Sequence, residues 1–257
     1  MTEVEPGFEQ FNETILVEPL SPSDQFVGIL AEPSIVYENV RAVGARIMNW
    51  LLPLIALGIV ISAGMVLRTN DPQFMGNVYE QQEKQMTKQV ESGKMTQEQA
   101  DAAAEQMKSF EGFTKIMMIV GGAIGPAFGF FFMSLVFWII AKFVLKGEIT
   151  FALMLSTMGL SLYISIIDQL ATLLVGYATG NMLATFSPAA FMTFDATSSL
   201  YKLLSQIDPI AIWGYVVFSI GLSVVAGIDR MKAYAVVFGL WLLFILGTSF
   251  ISIPGMS

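Results

Sequence analysis

The chain has no histidine and no cysteine. Those two absences exclude zinc sites of the usual kinds, thiol nucleophiles, disulfides and imidazole acid–base chemistry together. They also leave the compartment unreadable from thiol usage. Charge is sparse: Asp, Glu, Lys and Arg make up 13% of the 257 residues. The net charge is −8, and 16 of the 21 acids lie in the segment before the first apolar run and in 68–115. Neither segment is a basic footprint, so nucleic acid is not an expected partner. There is no Walker-type run, and the glycines near residue 125 do not sit between a strand and a helix, so no phosphate loop is expected. No Lys or Arg precedes Arg41, and the positive segment and early apolar stretch of a cleaved signal peptide are missing, so insertion is expected to use the first apolar run itself. No catalytic group, cofactor or metal is expected from these residues.

What the chain has in abundance is apolar length. Five largely uncharged runs cover 47–67, 116–141, 149–167 (with room to extend to 178), 209–228 and 233–253. A helix crosses the hydrocarbon core with about 20 apolar residues. A soluble fold would have to bury all five runs on every face, which a chain of this size and a mean hydropathy of +0.65 does not do. The expected fold is an all-α integral membrane protein with five transmembrane helices.

The cations choose its orientation. Arg41 and Arg46 precede the first run, Lys142 and Lys146 separate the second and third, and Arg230 and Lys232 separate the fourth and fifth. On the other side, the segment between the third and fourth runs holds Lys202 alone, and the tail holds none. Short cationic loops stay cytoplasmic, while a longer loop crosses despite its charge. The N-terminus is therefore expected in the cytoplasm and the C-terminus outside, with multi-pass placement in a cell inner membrane.

Outside the runs, residues 1–24 are acidic, hold three prolines and lack periodicity, and are expected to form a mobile tail. Residues 25–254 make the membrane domain. Within it Phe26, Ile29, Leu30, Pro33, Val36, Tyr37 and Val40 recur at steps of three and four, one face of a helix that Pro33 kinks or restarts. The favoured placement is flat in the cytoplasmic interface; the alternative is packing on other loops. The loop 68–115 reads as a helical hairpin on the outer side. Gln81–Val90 and Gln97–Phe110 are its helices, and Thr96 with Gln99 has the spacing of a capping box. Met75, Met86, Met95, Met107 and Phe110 give it a sticky edge for a partner or pack its two helices together. Between Gly180 and Asp208 the outer segment carries Phe186, Phe191, Phe194 and Tyr201, suited to headgroup depth. Asp208-Pro209 reads as a helix start.

Two constellations stand out. Gly121, Gly125 and Gly129 are spaced by four, and Ser219, Ser223 and Gly227 form a weaker version in the fourth run. Such rows let another helix approach to backbone contact. Packing within the chain is expected ahead of homodimerisation. Pro126 should kink its helix. Asp168, followed by Gln169, is the one ionisable residue inside an apolar stretch, with Ser156, Ser161 and Ser165 beside it. Counted from Ile149 it lies about 28 Å along a helix, near the outer interface. It is expected to be a hydrated or capped carboxylate there, and with no second carboxylate inside a run no paired acid–base site is expected.

Taken together, the order of parts resembles the Yip-one domain family, named for Ypt/Rab-interacting protein. The resemblance rests on the amphipathic stretch around Ile29-Leu30-Ala31-Glu32-Pro33 before the first run and on the Gln/Met-rich loop after it. It rests most on Leu204-Ser205-Gln206-Ile207-Asp208-Pro209-Ile210-Ala211-Ile212-Trp213, then Ile220-Gly221-Leu222, then Lys232-Ala233-Tyr234-Ala235-Val236-Val237. It covers Gln25 to Ile251 and looks like a bacterial member. The resemblance implies five helical spans and a cytoplasmic N-terminus. The acidic tail lacks the Asp-Leu-Tyr-Gly-Pro run of eukaryotic members, so their link to Rab GTPases is not carried over. Some bacterial relatives look like accessory subunits of ABC-type exporters or envelope systems, and no catalytic residues transfer.

The expected function is a non-enzymatic scaffold or accessory subunit, surrounded by lipid and bound to a membrane-protein partner or to copies of itself. A second expectation is a subunit of a small-solute or ion transporter with a path near Asp168. A third, an intramembrane enzyme acting on lipid, would need a Ser or Asp pair.

Overall fold

The computed structural model describes residues 17–192 and 198–250. Residues 1–16, Phe194 and the last residues of the chain lie outside them. Among the described residues the protein is helical throughout, without strands. Ten α-helices follow in order: α1 Pro22–Ala31, α2 Pro33–Val43, α3 Met48–Thr69, α4 Pro72–Glu91, α5 Gln97–Ser109, α6 Glu111–Ile139, α7 Phe151–Thr179, α8 Ser199–Ser205, α9 Pro209–Ala226 and α10 Arg230–Phe250. A π-helical turn, Ile140–Val144, continues α6. Five of these helices are long and apolar enough to cross a membrane: α3, α6 with its π turn, α7, α9 and α10.

Local chemistry sets most helix starts. Ser21, Asp71, Thr150, Ser198 and Asp208 each cap a helix with the side-chain oxygen, and proline follows directly at Pro22, Pro72 and Pro209. Such caps satisfy donors that the first turn cannot bond internally. The Thr96 box is complete: its hydroxyl accepts from the Gln99 N–H, and the Gln99 side chain accepts from the Thr96 N–H. Pro33 restarts the chain rather than kinking one helix, because it brings no N–H to continue α1.

The bundle is staggered. α3 packs on α6 and α7, α7 on α9, and α9 on α10. The start of α3 meets α7 at Gly159, where a Cβ would collide with the Trp50 backbone and side chain. That contact is about 12 Å along α7 from Phe151. Further on, a Cβ at Gly64 would stand 3.0 Å from Leu173. α9 is shifted the other way, for the Ala226 carbonyl at its end accepts from the Glu148 N–H just before α7 (2.9 Å). Below α3 a space remains beside the first turns of α7, and α1 and α2 fill it.

That placement corrects the interfacial reading of the N-terminal segment. Its apolar face is spent on protein, not on lipid or loops: Ile29, Val36, Tyr37 and Val40 are buried against α7 and α9. The Tyr37 ring lies on Gly221, where any Cβ would overlap it, and its hydroxyl donates to the Thr157 carbonyl (3.2 Å). Burial pushes the Tyr37 phenol above its ordinary range. Phe26 meets Tyr163 edge-on at 5.3 Å between ring centres. Gln25, polar though it is, is buried and donates to Asn49 (3.1 Å). The tail expected over 1–24 also ends sooner, since α1 begins at Pro22 and the Leu20 N–H donates to Asn39.

One end of the bundle gathers cations. Arg41 donates to the Val224 carbonyl (3.0 Å) near the end of α9, and Arg230 reaches the Ser34 hydroxyl (3.5 Å). Lys142 lies over the Trp138 ring at 5.4 Å. At the other end α4 and α5 form the expected hairpin. It is loosely held: only Met75 and Ala100 are buried among its described side chains. Met86 and Met95 are half-buried and Phe110 is exposed, so these three do not form one exposed edge; the Met107 side chain lies outside the described ones.

Candidate functional site

α7 carries Asp168 well before its end. The helix runs eleven residues further to Thr179, about 16 Å, with Leu170, Leu174 and Tyr177 exposed along that stretch. Counted from Phe151, Asp168 lies about 26 Å along this 29-residue helix.

Asp168 does not stand apart from other acids. The stagger lowers the start of α9 to its level, and the Asp208 carboxyl comes within hydrogen-bonding reach. Asp208 caps α9, with Oδ1 accepting from the N–H groups of Ile210 (2.7 Å) and Ala211 (3.1 Å). Sequence reasoning missed this pair because Asp208 lies at a helix start, outside every apolar run. Among the described residues no donor reaches the buried Oδ1 of Asp168. The Asp208 carboxyl supplies one only when it carries a proton.

Asp168 stands at one end of a cavity of roughly 310 Å³ between α6, α7, α9 and α10. Met158 to Asp168 line its α7 wall, about 15 Å of helix. Ser161 and Ser165 belong to that wall, although the Ser161 hydroxyl is occupied by the Met158 carbonyl (2.7 Å). Ser156 lies elsewhere, buried and directed at the Arg46 carbonyl (3.4 Å). Gln169 is half-buried and takes no part in the lining.

The glycine row is placed differently from expectation. Gly121, Gly125 and Gly129 are exposed, and a Cβ at any of them would meet nothing within 4 Å. The residue that brings α6 close to α3 is Gly122, where a Cβ would stand 3.2 Å from Ile61 and Met65. Packing within the chain therefore does not use the row. Of the weaker row, Ser219 is buried and donates to the Tyr215 carbonyl (2.7 Å), while Ser223 donates to Ile228 (2.8 Å) and closes the end of α9. Gly227 supplies the left-handed residue after that helix (φ 64°). The close contacts at Gly159 and Gly221 have no spacing signature, because each glycine faces a single large side chain or backbone turn on another helix.

Several residues of the string that carried the resemblance now have structural work. Asp208 caps α9, Gly221 receives Tyr37 from the amphipathic stretch, and Ala233 and Val237 are buried where α10 meets the core. No curated protein and no solved structure matches the chain. The model of the Yip1 domain matches residues 27–251. With five apolar helices in contact with the bilayer and a match over most of its length, the chain belongs to the Yip1 domain family of multi-pass membrane proteins.

Proposed function

We propose that this protein is a non-enzymatic subunit of an inner-membrane assembly. In this reading it meets its partner, a second membrane protein or another copy, through the exposed face of α6. The observation that carries the proposal is the row Gly121, Gly125 and Gly129, left without a neighbour on a helix that meets α3 one position round at Gly122. A helix in lipid gains association energy from close backbone approach, since lipid tails are as apolar as leucine. Bilayer contact alone does not call for three glycines in line. An accessory role beside an ABC-type exporter or envelope system fits this face. The orientation follows the cation count, with Arg41, Lys142 and Arg230 in the cytoplasm and the α4–α5 hairpin outside.

The absence of cysteine makes the test clean. Gly125→Cys in native membranes should crosslink efficiently to a defined membrane partner or to itself, and Leu243→Cys on the exposed face of α10 should not. Equal yields at both sites would remove the assembly surface. Asn181→Cys should react with an impermeant maleimide from outside and Met231→Cys only from inside; the reverse pattern inverts the orientation.

A second reading, a subunit of a small-solute or ion transporter with a path near Asp168, is favoured by the place of Asp168 on a cavity. Its test is transport by Asp168→Asn, which should be lost.

A further inference from the structure

The cavity is not uniform. At one end Asp168 lines the cavity with Tyr215 and with Trp241, 5.8 Å from Tyr215 between ring centres. Phe244 lines the cavity one turn along α10 from Trp241. At the other end Phe137 and Phe218 meet edge-on at 4.8 Å, and Met133 and Met158 fill the corners. The first end is aromatic and anionic; the second is aromatic and purely apolar. α6 and α10, which form the two outer walls, share no extended contact, so the cavity opens sideways between them, toward lipid.

We propose that this cleft binds a single-chain hydrophobic amine drawn from the bilayer. Its ammonium is held by Asp168 between Tyr215 and Trp241, and its tail lies along Phe137 and Phe218. Each part of the ligand answers a feature of the protein. Asp168 is the carboxylate that lines the cavity, so the site offers a negative charge to a monocation. An ammonium brings the donor that the buried Oδ1 of Asp168 lacks. Aromatic faces beside a carboxylate attract organic cations, most strongly where water is excluded. The remaining lining takes an alkyl chain of about ten carbons over its 15 Å length. A diacyl phospholipid does not suit the site: its phosphate would face the Asp168 carboxylate, and its two tails exceed the space.

The proposal is independent of the α6 assembly surface, and either can fail alone. The full chain in nanodiscs of phosphatidylcholine is titrated with n-decylamine, n-decanol and n-decanoate. Binding is followed by tryptophan emission, with Trp241→Phe as the silent control. Wild type should bind the amine about tenfold or more tighter than the alcohol, and the carboxylate weakest. Asp168→Asn should bring amine and alcohol to within about twofold of each other. Asp208→Asn retains a good cap, so its fold is kept, and it should weaken the amine preference less. Equal affinity for amine and alcohol in wild type overturns the proposal and leaves a slot for lipid chains. An unchanged ratio in Asp168→Asn overturns it as well. If Asp168→Asn does not fold, the order of the three ligands on wild type decides.

Discussion

The two hairpins that flank the bundle make an instructive pair. α1–α2 and α4–α5 are both short amphipathic helix pairs started by capped prolines. The first inserts Ile29, Val36, Tyr37 and Val40 into the core; the second buries little beyond Met75 and Ala100. Periodicity does not separate them. The receiving surface does. α1–α2 meets a glycine that accepts an aromatic ring, the Thr157 carbonyl for the Tyr37 hydroxyl, and the end of α9 for Arg41. α4–α5 meets the ends of α3 and α6, which offer no comparable recess. Its ion pair Lys84–Glu80 (2.8 Å) is an exposed i,i+4 contact within α4 and fixes nothing to the bundle.

Tyr37→Ala gives the comparison its hardest test. It should cost about 3–5 kcal/mol by leaving an aromatic-sized void between α7 and α9. Chemical unfolding in detergent measures it, and a loss no larger than that of an α4 substitution would make the two hairpins equivalent. Gly221→Leu attacks the same contact from the receiving side. Expelling the ring should cost about 1–3 kcal/mol and open the chain near Arg41 to trypsin. If Arg41 stays protected, the recess is not what seats the hairpin. Tyr37→Phe keeps the ring and loses only the bond to Thr157, so about 1 kcal/mol is expected. At the lower end, Thr96→Ala should cost about 1 kcal/mol within α5 and speed proteolysis near residues 92–95. The melting temperature of the bundle should not move; a shift would show that α4–α5 is structurally coupled after all.

The contrast also explains which parts of the molecule were legible beforehand. The five spans were, because lipid solvation demands runs of apolar residues that chance does not supply. The starts at Thr96 and Asp208 were, because a cap is a short-range pattern. The use of Gly121, Gly125 and Gly129 was not. A row of small residues records that something approaches closely, and Gly122, one position round the helix, turned out to face α3. Asp168 was singled out, yet its partner Asp208 was read only as a cap, since 40 residues separate them and the stagger of α9 against α7 cannot be seen in either segment.

What the amino-acid sequence by itself determined was solvent and direction: which segments sit in lipid, and which end collects positive charge. Both follow from transfer energies that each segment carries alone. The tertiary structure decided where the N-terminal hairpin lies, which glycines are used and that two distant carboxyls meet, one of them on an aromatic cleft. Those depend on how far one helix slides along another, a quantity set by side-chain fit between segments and written in none of them singly.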